Sequence, residues 1–252
     1  MADALHVHEF GPGDGVPLLA LHGVTGHGAR FRRLAAEHLP EHRVIAPDLR
    51  GHGRSPALPP WTLEQHAADV LAVLDTRGLG TVRVMAHSFG GVVALHLARI
   101  APERISALLL LDPAVHVLPE DALANASCAG DTRPDREQAF AAQRGDWPGV
   151  ADVVVAEEVE AHWTEVGGGW RPRYSPPAIA TAWSEMCRPA PVPPPGLPTV
   201  IVRALQAAYV GGEYLAACAD AGSDVAVVDV DCGHVVYLDR PERVAELVAD
   251  LG

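Results

Sequence analysis

The 252-residue chain predicts an α/β fold: a mostly parallel sheet with helices on both faces and a helical insertion between two of its strands. Two observations carry this. Short apolar, β-rich runs alternate with stretches of helical periodicity, the pattern of strands joined by crossover helices. The runs are also continuously apolar rather than alternating, as strands buried on both faces should be. The length suits one large domain of this class.

In order along the chain, residues 5–10 read as a leading edge strand, and residues 18–21, 44–46, 82–86 and 107–111 as buried strands. Residues 62–76 place Leu63, Ala67, Val70, Leu71 and Leu74 at helical spacing, and residues 89–100 form a second helix. The alternation then breaks. Between residues 113 and 195 the chain shows helix-like stretches at 135–144, 150–165 and 176–187, a Gly167-Gly168-Gly169 run, and four of the five tryptophans: Trp147, Trp163, Trp170 and Trp183. Strands resume at 199–202 and 225–230, and a helix at 242–251 closes the chain. The expected organisation is therefore a core of residues 1–112 and 196–252, with residues 113–195 as a helical cap over the carboxyl edge of the sheet, where open α/β sheets bind ligands. The proline-rich return, Arg188 to Pro198, reads as a stiff linker.

Composition narrows the partners. The formal net charge of −13 disfavours nucleic acid and anionic membranes, both of which need basic patches. All 19 basic residues are Arg, which excludes a Lys Schiff base, a Lys general base or a phosphate-loop Lys. No apolar stretch approaches the roughly 18–20 residues of a membrane helix, and the N-terminus has no signal-peptide pattern, so a cytoplasmic location is expected. Cys128, Cys187, Cys218 and Cys232 show no C-x-x-C spacing and read as free thiols. His6 and His8 share a strand face; edge polarity accounts for them better than a metal does. The Gly167-Gly168-Gly169 run follows no expected strand and no Lys follows it, against a phosphate cradle. The cap tryptophans read as cap core, and Arg171 and Arg173 as solvated.

Three local patterns carry chemistry. In Met85-Ala86-His87-Ser88-Phe89-Gly90-Gly91 a strand runs into a helix through a serine flanked by small residues at two before and two after. A sharp, strained strand-to-helix turn needs that spacing, and it exposes the serine hydroxyl at a helix N-terminus. In Leu21-His22-Gly23-Val24-Thr25-Gly26 a Gly-rich loop follows a buried strand. Its Val24 N–H, together with that of Phe89, offers the two backbone donors that an acyl-transfer enzyme uses for an oxyanion. In Val230-Asp231-Cys232-Gly233-His234-Val235 a histidine sits on the loop after the last strand, where a general base fits.

With these patterns the chain resembles the α/β-hydrolase-fold family over nearly its whole length. The resemblance rests on His22-Gly23, the stretch Asp48 to Ser55, Ala86-His87-Ser88-Phe89-Gly90, Ala101-Pro102-Glu103-Arg104 and Cys232-Gly233-His234. It implies a structural turn without catalytic duty at Asp48 to Ser55, a Ser88 nucleophile and a His234 base. The family's acid is usually in a Gly-x-x-Asp stretch after the post-cap strand, but here those positions are Ala204 and Ala207. Some members, haloalkane dehalogenases among them, carry the acid at the end of the strand before the cap. Asp112, in Leu111-Asp112-Pro113, stands there and is the expected acid, with Glu213, Asp239 or a Ser–His dyad as substitutes.

A Ser nucleophile implies an acyl-enzyme. The resemblance therefore implies a serine hydrolase of the esterase type acting on small-molecule carboxylic esters or lactones, of small to medium apolar substrates, with no cofactor and no metal. C–C bond hydrolases of vinylogous diketones use the same triad and remain open. So does a non-catalytic ligand-binding protein on this fold, which the missing post-cap acid would favour. Oligomeric state is not legible.

Overall fold

A computed structural model describes residues 4–127 and 130–251. Its main sheet has seven strands: β1 (Val7–Phe10), β2 (Val16–Leu21), β3 (His42–Pro47), β4 (Val82–His87), β5 (Ile105–Leu111), β8 (Thr199–Ala204) and β9 (Val225–Val230). They lie in the order β1-β3-β2-β4-β5-β8-β9. Only β1, on the edge, is antiparallel to its neighbour; the remaining pairs are parallel.

The continuous apolar runs separate into two faces by the period of two of a strand. Leu19, Leu21, Val84, Ala86, Leu108 and Leu110 face one apolar layer, completed by helices α2 (Leu63–Thr76) and α3 (Phe89–Ile100). Leu18, Ala20, Met85, Leu109 and Leu111 face the other, against α1 (Arg32–His38) and α10 (Pro241–Ala249). Thr62, at the start of the expected helix, caps α2 by accepting from the Gln65 N–H. Strand β9 departs from expectation. Its apolar run predicts burial on both faces, but its position at the sheet's end leaves Val227 43% exposed, and Asp229 pairs with Arg203 at the surface.

Between β5 and β8 lie α4 (Pro119–Ser127), α5 (Arg136–Asp146), α6 (Asp152–His162), a two-stranded hairpin of β6 (Trp163–Val166) and β7 (Gly169–Pro172), and α7 (Pro176–Met186). The expected helix over 150–165 stops at His162, where β6 begins. The glycine run therefore does follow a strand: Gly167 and Gly168, at φ +61° and +81°, make the turn of the hairpin, where two consecutive left-handed residues are required. Helix α4 has no counterpart in the sequence reading. Trp147, Trp163 and Trp183 are buried, Trp163 in a small cluster with Ala139 and Val159. Arg171 and Arg173, expected to be solvated, are half-buried. After β8 come α8 (Gly212–Asp220), β9, the short α9 (Val236–Asp239) and α10. Cys187, Cys218 and Cys232 are free thiols, and Cys128 lies outside the described residues. Among the described residues no helix is long and apolar enough to cross a membrane.

The turn after β3 is organised by one carboxylate. Asp48 is 1% exposed. Its Oδ1 accepts from the Gly28 N–H at 2.7 Å and from His8 Nε2 at 3.1 Å, and its Oδ2 from the Arg54 N–H at 2.9 Å. Burial would raise this carboxyl, but the hydrogen bonds outweigh it and hold it well below the usual carboxylate range. Asp48→Ala leaves these donors without their acceptor, so we expect a loss of about 3 kcal/mol or more in urea unfolding. A loss below about 1 kcal/mol would show that the turn does not depend on it.

Candidate active site

The β4–α3 junction holds Ser88 at φ +54°, ψ −119°, a left-handed conformation that a non-glycine residue keeps only when its surroundings enforce it. Here they do. The Ser88 N–H donates to Leu111 O at 3.1 Å, and its carbonyl accepts from Gly91 and Ala114 N–H at 2.9 and 3.2 Å. The small residues after it are sterically required: a Cβ on Gly90 would sit 2.6 Å from the Leu21 and His22 carbonyl oxygens, and one on Gly91 2.7 Å from Pro113 Cβ. The tight turn points Ser88 Oγ at His234, which stands on the loop between β9 and α9.

His234 Nε2 lies 2.9 Å from Ser88 Oγ, and its Nδ1 2.6 Å from Asp112 Oδ2. Because a carboxylate oxygen accepts, Nδ1 carries the proton and Nε2 is the acceptor for the serine hydroxyl. Asp112 is fully buried at the end of β5, also in a left-handed conformation at φ +44°. Its Oδ1 accepts from the Ala204 N–H at 3.2 Å. The strand end that lacks the family's usual acid thus supplies a donor to the carboxylate on its neighbour. The alternatives lie elsewhere: Glu213 is exposed in the first turn of α8, and Asp239 Oδ2 accepts from the Gly233 N–H at 2.8 Å. Ser88 itself is 3% exposed, while the His234 side chain is 27% exposed.

The Gly-rich loop after β2 lies against the serine, since a Cβ on Gly23 would approach Ser88 Cβ to 3.1 Å and His87 Nδ1 to 2.8 Å. His22 locks its shape. Buried beneath the loop, His22 accepts the Leu49 N–H on Nε2 at 2.9 Å and donates from Nδ1 to Gly23 O at 2.8 Å. That carbonyl also accepts from the Gly26 N–H at 3.0 Å. In a trans peptide the N–H points opposite to the carbonyl, so the direction of the Val24 N–H is fixed as well. Burial pushes the His22 imidazole well below its ordinary pKa, as its role of simultaneous donor and acceptor requires. The second candidate donor, Phe89, is the first residue of α3, where an amide has no partner within its own helix.

Two neighbours of His234 were missed in the sequence. His87 Nε2 donates to the His234 carbonyl at 2.8 Å, and Tyr209 lays its ring 4.2 Å from the imidazole. His87 is visible as the residue before the serine, but its partner is 147 positions away. Tyr209 follows the stretch that lost its carboxylate, and no local pattern marks it. Chemically, the arrangement can deprotonate a serine, orient the base and offer backbone donors beside the nucleophile.

The comparisons with known proteins agree on the architecture. The family profile described as alpha/beta hydrolase fold matches residues 16–146. The chain is 41% identical to Lipase LipV of Mycobacterium tuberculosis, over 97% of this chain and 96% of that protein. It is 25% identical to Esterase YbfF of Escherichia coli, over 92% and 91%. Among solved structures, E-2-(acetamidomethylene)succinate hydrolase superposes with a TM-score of 0.84 at 23% identity, covering 98% of this chain and 94% of that one.

Proposed function

The chain belongs to the α/β-hydrolase-fold family, and from that premise we propose that it is a cofactor-independent serine hydrolase, cleaving carboxylic esters or lactones of small to medium apolar substrates through a Ser88 acyl-enzyme. The observation that carries the reading is the unbroken line Ser88 Oγ–His234–Asp112, at 2.9 and 2.6 Å. The likeness to a lipase and an esterase supports the choice of ester bonds. The near closure of Ser88, with Val24, Phe89 and Val115 packed into the apolar layer beside it, favours a small apolar acyl group.

In this mechanism His234 Nε2 takes the Ser88 proton as Oγ attacks the ester carbonyl. The developing oxyanion lies between the Val24 and Phe89 N–H groups, fixed beforehand by the His22 lock and the helix start. His234 then protonates the leaving alcohol, the tetrahedral intermediate collapses, and the acyl-enzyme forms. Water, deprotonated by the same imidazole, releases the acid and restores Ser88. Asp112 holds the tautomer and stabilises the imidazolium. The segment 113–195 acts as the cap that shapes the acyl pocket.

A fluorophosphonate probe tests the nucleophile. One adduct is expected on the peptide containing Ser88, absent from Ser88→Ala and accompanied by turnover of short-chain p-nitrophenyl esters. A folded wild-type protein that takes no label would overturn the hydrolase reading in favour of a ligand-binding role.

A further inference from the structure

Away from Ser88, three side chains with metal-ligand chemistry meet where α6 packs on the loop after β2. His27 is 4% exposed, Glu158 5% and His162 1%. Glu158 and His162 are four residues apart on α6 and so project from one side of the helix. His27 comes from the core, 131 positions from Glu158. One ligand atom from each, an imidazole nitrogen or a carboxylate oxygen, lies within 4.8 Å of the other two.

The hydrogen bonding in the cluster is uneven. His27 Nε2 donates to Glu158 Oε2 at 2.9 Å, and Glu158 Oε1 accepts from Arg30 Nε and Nη2 at 3.0 and 2.7 Å. Among the described residues neither ring nitrogen of His162, both of them buried, has a hydrogen-bond partner, although the ring stacks on that of His27 at 4.6 Å. Buried polar atoms are almost always met by something, and an imidazole in which neither nitrogen is met calls for a ligand. A cavity of about 490 Å³ is lined by all three side chains and gives an ion a way in.

We propose that His27, Glu158 and His162 form a binding site for a divalent transition-metal ion of the zinc type, separate from the Ser88 centre. Two imidazoles and one carboxylate are a donor set that suits zinc, with a fourth position left for water from the cavity. Arg30 holds Oε1 and orients the carboxylate so that Oε2 faces the histidines, as groups behind metal ligands commonly do. On loading, the His27 proton moves from Nε2 to Nδ1 through solvent, and Nε2 exchanges its bond to Glu158 for one to the ion. His162 gains a partner. The ion then clips α6 to the loop that, three residues before His27, carries Val24.

Cobalt titration of the metal-stripped 252-residue chain tests this. One equivalent should bind and give the intense visible bands of four-coordinate cobalt, and zinc should displace it stoichiometrically. His162→Ala should lose the bands while keeping its circular dichroism, since this ring makes no hydrogen bond among the described residues. Glu158→Gln is the second variant, should that one not fold. His8→Ala, in the other histidine–carboxylate cluster formed with His6 and Asp48, should keep them. Wild-type protein without bands, bands that survive both His162→Ala and Glu158→Gln, or bands lost in His8→Ala would each overturn the site. The first would assign the His162 nitrogens to buried water.

Discussion

Asp112→Asn is expected to lower kcat for ester hydrolysis by about 10⁴-fold, the scale known for serine triads, with the fold intact. Asn suits the test because it tolerates the left-handed conformation at φ +44° better than other replacements do, so the backbone need not move. The surroundings also decide how its amide sits. The Ala204 N–H donates to Oδ1 in the wild type and needs an acceptor, so the amide oxygen stays there. The amide NH₂ then faces His234 Nδ1. Forced to accept on Nδ1, the imidazole carries its proton on Nε2, where it meets Ser88 as a donor and cannot take the hydroxyl proton. Asp112→Ala would be a poorer experiment, since it mixes backbone strain and an unpaired Ala204 amide with the loss of the acid. kcat on a p-nitrophenyl ester and the thermal midpoint together read the outcome. A rate near wild type in a folded Asp112→Asn protein would move the role to Asp239, Glu213 or a dyad.

What the sequence revealed follows from how local each constraint is. Ser88 is legible because its strained turn needs small neighbours within a few residues, and Gly90 and Gly91 have no room for a Cβ. The strands are legible as apolar runs, but which side chains face which layer is not, because both faces are buried and the alternation disappears. At β9 the same run misleads: an edge position is a property of strand order, and Val225 to Val230 contains only one charged residue to signal it. The hairpin at 163–172 is hidden because Trp163 to Val166 continues the composition of α6, and Gly167-Gly168 reveals itself as a turn only once both flanks are strands.

The site divides in the same way. His22-Gly23 and Gly233-His234 lie in recognisable loops at strand ends. Asp112 needs an argument from topology, that the strand bearing it neighbours the one bearing Ser88, and β4 pairs with β5. His87, Tyr209, and the meeting of His27 with Glu158 and His162 depend on contacts between distant segments, which no window along the chain contains.

Acid should unfold this protein well before its carboxylates protonate. His52 and His66 are buried, and desolvation lowers their pKa values to about 4 and about 3. For His52 the Arg50 carbonyl, which accepts from its Nδ1 at 3.0 Å, and the Asp48 charge oppose the shift, while Arg30 adds to it. His66, packed edge-on against Phe89, feels His52 and Arg50, both of which lower it further. In the unfolded chain each returns to about 6.5. As pH falls below that value the unfolded state takes up protons that the folded state refuses, so stability present above about pH 6.5 is lost progressively toward pH 4 for His52 and pH 3 for His66. From about pH 7.5 to about pH 5 each contributes a loss of about 2 kcal/mol, about 4 kcal/mol together, a large part of the stability of an ordinary domain. His22 and His87 are shifted in the same direction, chiefly by burial, and steepen the fall. Asp48, held low in the fold, adds its own loss only below the ordinary carboxylate range near about pH 4, so the two effects separate along the pH axis. Urea unfolding at about pH 7.5, 6 and 5 should show the fall, and His66→Leu should reduce it by about 2 kcal/mol across that range, because one titrating group is gone. The substitution is a fair one, since His66 Nδ1 is buried without a hydrogen-bond partner among the described residues, so an apolar side chain breaks no bond at that atom. Unfolding free energies that stay level across that range would mean that these histidines keep their protons in the fold.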